Sequence, residues 1–416
     1  MTEPMATQCC IAGGGPAGLM LGVLLARAGV RVRVLEKHKD FLRDFRGDTI
    51  HPSTMEVMAE LGWLEEFLAL PHEKVAELQA IFAGQRFRVA DLSKLPVAAP
   101  FIAMMPQWDF LNFLARKGDC YSGFHVDMQT EAVDLVMENG TVRGLVVESP
   151  SGRQSIMADL VVAADGRGSV LRQKAGMQVE DEGAPMDVLW FRLAMEPGDP
   201  ESSIGRIEPG HIFIKLNRGD YWQCAYVFAK GRIEAVRAAG LEAFRDKVSW
   251  LADIPLARAF AITSWEDVKL LNVKVDRLAT WQRPGLLCIG DAAHAMSPIG
   301  GVGVNLAVQD AVATANLLWR PLKEGRLTDA DLAAVERRRA WPTRMTQSMQ
   351  LTIQKRMIAP SLAATDQAIK APLPIRLMQR FPVLRRLPAR LIGMGFRPEH
   401  VAKPIAAGDG SMAGRP

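Results

Sequence analysis

Three observations predict an α/β fold. A glycine-rich turn, Gly13-Gly-Gly-Pro-Ala-Gly18, joins an apolar run to an apolar helix. Two later apolar runs each end on an acidic turn: Val161-Val-Ala-Ala-Asp-Gly-Arg167 and Leu287-Cys-Ile-Gly-Asp-Ala-Ala-His294. Between these two lies a stretch of alternating, strand-like texture. The expected architecture is a Rossmann-like nucleotide-binding domain with an inserted mixed β-sheet domain and C-terminal helices.

Cys9 to Ala12 reads as a short buried strand, Gly13 to Gly18 as a tight turn, and Leu19 to Ala28 as a helix ended by Gly29. Val30 to Leu35 is the next strand, with Arg31 and Arg33 alternating against valines and Glu36 at its end. Gly13, Gly15 and Gly18 occupy the G-x-G-x-x-G positions. Glycines there let the backbone approach a pyrophosphate, which then rests on the N–H groups of the helix N-terminus. Glu36 lies within the usual range for the acid that accepts hydrogen bonds from the adenosine ribose. The fingerprint occurs once, so a second nucleotide would bind transiently, without a Rossmann domain of its own.

Arg46 precedes a helix expected over Met55 to Leu61 and capped by Ser53 or Thr54. A strand pair near Leu78 to Val89 is assigned to the inserted sheet. Strands are expected at Asp187 to Met195, His211 to Leu216 and Tyr221 to Phe228, with a hairpin at Gly219-Asp220 and an amphipathic helix over Ile233 to Leu251. Alternation places Trp190 and Arg192 on one strand face, and Trp222 and Tyr226 opposite Tyr221, Gln223 and Ala225. One such face should roof the cofactor, and Arg192 and Tyr226 are the substrate-site candidates, although core packing explains such residues equally well. No acid–base residue is assigned.

Leu286 to Ile289 is a buried strand that delivers Asp291, placed to accept hydrogen bonds from a cofactor's hydroxyls. Gly300, Gly301 and Gly303 offer bare backbone to a flat ring, and a helix from Leu306 to Trp319 points its N-terminus at the same place. His294, flanked by apolar residues, reads as a structural hydrogen bonder. In the segment after Trp341, arginines 376, 380, 385, 386, 390 and 397 stand among Leu, Ile, Met and Phe, and no acid occurs from Arg376 until Glu399. Terminal helices with solvated arginines are the preferred reading, and an amphipathic contact with a membrane or an apolar lid is the alternative. The tail after Ala406 is expected to be disordered.

Composition narrows the function. Over 416 residues, 50 Lys and Arg against 46 Asp and Glu leave a net charge of +4, which implies no nucleic-acid partner. The five cysteines form no metal-binding or redox spacing, and Cys9, Cys10 and Cys288 read as buried free thiols. No metal is expected. The N-terminus lacks a basic region before its apolar run, so a cytoplasmic protein, monomeric or homodimeric, is expected.

Taken together, the three ordered segments resemble the signature of the class A flavoprotein aromatic hydroxylases, the para-hydroxybenzoate hydroxylase type. The resemblance spans about residues 8 to 320. It implies non-covalent FAD, NAD(P)H as a transient co-substrate, and O2 as the oxygen source. It implies hydroxylation of an aromatic, phenolic or related apolar small molecule through a flavin C4a-hydroperoxide. It also carries cofactor contacts onto Gly13, Gly15, Pro16, Ala17, Gly18, Glu36 and Lys37; onto Arg46 along the flavin and pyrophosphate; onto Gln107; and onto Val133, whose backbone would border the adenine. Asp165 would serve both nucleotides. Gly290, Asp291, Pro298, Gly301, Gly303, Val304 and Asn305 would line the flavin. The family commonly has Gly-Gln-Gly where this chain has Gly301-Val-Gly303, which keeps the backbone role and removes one polar side chain. The implied organisation is discontinuous: FAD-binding parts over 1–72, 98–176 and 271–340, substrate-domain parts over 73–97 and 177–270, and a C-terminal segment over 341–416. A reductase or halogenase on the same scaffold, or a non-catalytic flavin-binding module, is the alternative; the halogenase pattern W-x-W-x-I-P is absent.

Overall fold

The computed structural model describes residues 5–42, 49–200, 203–364 and 369–408. Its main sheet is built around Met5–Ala12, whose Cys9, Cys10 and Ile11 are fully buried, as expected for a parallel strand covered on both faces. This strand pairs in parallel with Val32–Glu36 on one side and with Gly152–Ala163 on the other. Phe124–Met128 extends the sheet beyond Val32–Glu36. The long strand Gly152–Ala163 uses its first half to pair antiparallel with Thr141–Ser149, and its last residues to pair in parallel with Leu286–Cys288.

The register brings the three sequence motifs level. Ala12 stands opposite Ala163, and Ala163 opposite Cys288. Gly13, Asp165 and Gly290 therefore emerge together at the carboxyl edge of one parallel sheet, the edge where open α/β sheets bind ligands. Helices Pro16–Arg27 and Gly303–Lys323 pack on each other above it.

A second sheet has seven strands in the order Lys269–Leu271, Met186–Ala194, Tyr221–Ala229, His211–Asn217, Ile204–Glu208, Glu77–Phe82 and Gln85–Asp91. It is antiparallel except where Ile204–Glu208 meets Glu77–Phe82. Its two faces are distinct. Phe191, Phe213 and Tyr226 pack with Phe244 and Val248 of a covering helix, whereas Val188, Trp190 and Ala225 pack with Ile299 and Ile358.

Some boundaries differ from expectation, each for a local reason. The covering helix is two, Ile233–Ala238 and Leu241–Ala252, because Gly240 adopts φ +90° between them. Neither Ser53 nor Thr54 caps a helix; Pro52 starts it, His51 is the cap position, and both hydroxyl residues are buried inside Pro52–Glu60. The helix Asp329–Ile353 runs unbroken through the expected 340/341 junction, carrying Pro342 within it. Arg46 and the tail from 409 onward lie outside the described residues.

Candidate functional site

Contacts between the three motifs close the site. A Cβ on Gly13 (φ +109°) would fall 2.2 Å from the Ala164 carbonyl oxygen, so the first turn sits directly on the second motif. A Cβ on Gly290 would lie 3.1 Å from Ala17 Cβ and 3.4 Å from Ala307 Cβ, wedging the third motif between the two helices. Arg167 donates to Asp291 at 3.1 Å, joining the second motif to the third.

The first turn fits a nucleotide. Gly15 is the cap residue of Pro16–Arg27, and among the described residues no side chain caps that helix and an added Cβ at Gly15 would meet nothing within 4 Å. Gly18 is different, since its Cβ would lie 1.9 Å from the Gly13 carbonyl oxygen. Glu36 accepts from the Gly14 N–H at 3.2 Å and from the His38 N–H at 2.9 Å, which fixes its carboxylate beside the turn. Thr130 donates its N–H to the Glu36 carbonyl, so the segment leading to Val133 lies alongside. Lys37 is largely exposed and faces Glu131 at 3.8 Å. The glycines therefore divide into those that serve the protein and one that faces open space. Gly15→Ala is expected to leave apo-protein melting nearly unchanged while weakening FAD by about 1–3 kcal/mol through overpacking. Gly18→Ala should instead unfold or severely destabilise the apo-protein. Equal losses of apo stability in the two variants would refute this division.

Asp165 is held at the turn that ends the second motif. One oxygen accepts from the Leu171 N–H at 3.3 Å, and the other is buried with no hydrogen-bond partner among the described residues. Burial pushes its carboxyl upward, opposed by the Ser169 hydroxyl and nearby backbone N–H groups. Arg172, which follows, forms a buried pair with Asp276 at 3.3 Å and anchors this turn to the strand before the third motif.

The third motif runs through Pro298 into a glycine loop. Gly300 and Gly301 adopt φ +78° and +64°, and a Cβ on Gly301 would lie 2.4 Å from Thr49 Oγ1. The Thr49 hydroxyl donates to the Gly301 carbonyl at 2.8 Å. Among the described residues, helix Gly303–Lys323 then begins with no side-chain cap, and no atom lies within 4 Å of a Cβ built at Gly303. Its first-turn N–H groups and the bare Gly303 backbone can receive the electron-rich edge of a flat ring; Val304, next in line, is buried. Asn305 is committed to the protein: its amide oxygen accepts from the His51 N–H at 2.8 Å and from the Thr54 hydroxyl at 2.7 Å, and its NH2 donates to the Thr49 carbonyl at 3.1 Å. It staples the loop to Thr49–Thr54. Gln107 starts the helix Gln107–Gly118, three residues beyond Met104, which pairs with Thr49.

Behind the loop lies a buried charge network that sequence reading missed. Asp310, fully buried, accepts from the Gly290 N–H at 3.1 Å, from His294 Nε2 at 2.5 Å and from Arg339 Nε at 2.9 Å. Burial raises its carboxyl, but His294 and Arg339 outweigh that and hold it below the usual range. Arg339 also reaches Glu399 at 3.1 Å, so the C-terminal segment is locked to the third motif. The available signal was an isolated acid in the apolar helix Gly303–Lys323. Arg167 was visible in its motif but acquired a role only once Asp291 was placed beside it.

His51 makes the site acid-sensitive. Its ring is fully buried, Nδ1 donates to the Ile392 carbonyl at 2.7 Å, and burial lowers its pKa to about 4. An unfolded histidine titrates near 6.5, so the unfolded chain binds the proton first. Stability is therefore full above about pH 6.5 and falls as pH drops through the folded value. His51→Asn, which retains a donor for Ile392, should flatten that slope in thermal unfolding; an unchanged slope would exclude His51 as its source.

Of the two substrate candidates, the structure separates rather than unites them. Arg192 shares the face of Trp190 and stacks over the Tyr221 ring at 4.6 Å. Tyr226 points the other way, into the core beneath Leu241–Ala252, with its hydroxyl 3.0 Å from His211 Nδ1 and burial raising its pKa to about 12.

Comparison with known proteins agrees with this geometry. The family model described as the FAD binding domain matches residues 6–349. The chain is 31% identical over 390 residues to a 6-methylpretetramide 4-monooxygenase of Streptomyces rimosus, covering 92% of each chain. It is 26% identical to the pentachlorophenol 4-monooxygenase of Sphingobium chlorophenolicum, matching 74% of this chain but only 57% of that longer one. The fold is shared with OxyS anhydrotetracycline hydroxylase from Streptomyces rimosus, at a TM-score of 0.70 and 23% identity, over 94% of this chain and 76% of the other. The chain belongs to the FAD binding domain family and is an FAD-dependent monooxygenase of the class A flavoprotein hydroxylase type.

Proposed function

We propose that the chain hydroxylates an aromatic small molecule held between the glycine loop and the seven-stranded sheet, which serves as the substrate domain. One observation carries this reading: Ile299 of the loop packs in the same apolar cluster as Trp190, Ile214 and Ala225 of the sheet. The sheet thus roofs the place where Gly301, Gly303 and the uncapped helix offer bare backbone. The overall reaction converts an aromatic C–H, O2, NAD(P)H and a proton into the phenol, water and NAD(P)+. When bound, FAD supplies the oxygen-transfer chemistry. Gly13, Gly15, Pro16, Ala17 and Gly18 would hold its pyrophosphate, Glu36 its ribose and Asp291 its ribityl chain, while the apolar roof excludes water.

Trp190 Nε1 is buried with no hydrogen-bond partner among the described residues, on the face that turns toward the loop. It is a donor for a substrate oxygen, and Arg192, further along the same face, sits at the polar end. Trp190→Phe should raise KM about 2- to 12-fold, the value of one hydrogen bond, with FAD binding unchanged. A KM unaltered for every substrate would remove Trp190 from the site.

The reading is tested by following NAD(P)H oxidation and O2 uptake across a panel of phenols and larger aromatics. Flavin reduction should accelerate when substrate is present, and 18O from O2 should enter the product. A product whose oxygen comes from water, or one that is reduced or halogenated, would overturn monooxygenation and leave the FAD fold standing.

A further inference from the structure

We propose that the face formed by residues 373–394 docks on an anionic lipid surface. Leu373–Arg380, Pro382–Arg385 and Arg386–Met394 follow one another along the outer edge of the seven-stranded sheet. Their inner side is fixed to the protein. Ile375 and Ala389 are buried, Gln379 donates to the Arg88 carbonyl at 3.0 Å, and a Cβ on Gly393 would lie 3.0 Å from Leu95 Cδ1 and 3.3 Å from Pro52 Cγ.

Their outer side carries Leu373, Leu377, Phe381, Val383, Leu384 and Leu387, each 42–65% exposed. Single exposed apolar residues are ordinary, but six within fifteen positions form a patch that calls for an occupant. Arg376, Arg380, Arg386 and Arg390 are exposed among them, and the sequence from 367 to 398 contains no Asp or Glu. Apolar side chains interleaved with arginines of one sign suit a bilayer interface, where the apolar groups enter the acyl boundary and guanidinium groups meet lipid phosphates. A second copy of this chain fits poorly, because a two-fold contact would set arginines against arginines. The exposure of these side chains, invisible in the sequence, is what reverses the preference for simple solvated helices.

The experiment uses the full-length, FAD-loaded protein and co-sedimentation with two vesicle types: phosphatidylcholine alone, and phosphatidylcholine mixed with phosphatidylglycerol. Binding is expected to the anionic vesicles and to weaken as salt rises. Val383→Asp with Leu387→Asp should lower partitioning on the order of a hundredfold, through loss of two apolar insertions. Arg380→Gln and Arg386→Gln should each lower it about fivefold. All these side chains are exposed, and retained flavin absorbance and melting temperature verify the fold of each variant. Failure of the folded wild type to bind anionic vesicles would overturn the proposal, as would equal binding by the double aspartate variant. Self-association, or capture by an acidic protein, that needs this patch without any vesicle binding would assign the face to a protein partner and also overturn it.

Discussion

Asp310→Ala is expected to destabilise the protein by about 3–5 kcal/mol, the usual consequence of removing one partner from a buried ion pair. The carboxylate is fully buried and serves Gly290, His294 and Arg339 together. Its removal leaves the Arg339 guanidinium buried with Glu399 and the Arg397 carbonyl as its remaining partners among the described residues. It also frees the Gly290 N–H, the first residue of the third motif's turn, so FAD affinity should fall along with stability. The pH dependence has a definite sign. The folded carboxyl titrates below the usual range, while the unfolded one titrates near 3.9. The stability it contributes is therefore complete above about pH 4 and is lost as pH falls through the folded value. Urea unfolding of wild type and variant should show the gap closing in acid. Asp310→Asn, which keeps an acceptor without the charge, should fall between the two. A loss under about 1 kcal/mol at neutral pH would mean that the network relaxes around the vacancy, and the positioning role would fail.

How much of this was legible beforehand differs between near and distant contacts. The first strand, turn and helix, and the strands carrying Asp165 and Asp291, follow from apolar runs punctuated by Gly and Asp, because those signals are local. The break at Gly240 was present as a lone glycine in an amphipathic run, yet nothing nearby said that its φ would be positive. Asn305 stands within the third motif's loop, but the partners that hold its side chain, Thr49, His51 and Thr54, lie about 250 residues earlier in the chain. Alternation correctly separated Tyr226 from Gln223, but the strand pattern alone could not tell which face meets the loop and which meets Phe244. Arg339 and Glu399 are ordinary charged residues in sequence. Only packing makes them the buried tie between the C-terminal segment and the cofactor edge.

Asp291→Ala separates cofactor binding from folding, which Asp310→Ala does not. Asp291 stands half-buried at the carboxyl end of its strand, paired with Arg167 at 3.1 Å, and both side chains retain access to solvent. Such a pair contributes about 0–1 kcal/mol to folding, so apo-protein melting should hardly move. With FAD bound, the carboxylate would accept charge-assisted hydrogen bonds from ribityl hydroxyls, each worth about 1.5–3 kcal/mol. Loss of one raises the dissociation constant about 10- to 150-fold. Arg167→Ala should also weaken FAD, because the guanidinium orients the carboxylate. The double variant should lose less than the sum of the two single losses, since residues in contact do not act independently. Flavin fluorescence titration of the four proteins measures the cycle. Additive losses would show that Arg167 and Asp291 meet the cofactor separately, and an unchanged affinity in Asp291→Ala would reduce that residue to a turn former.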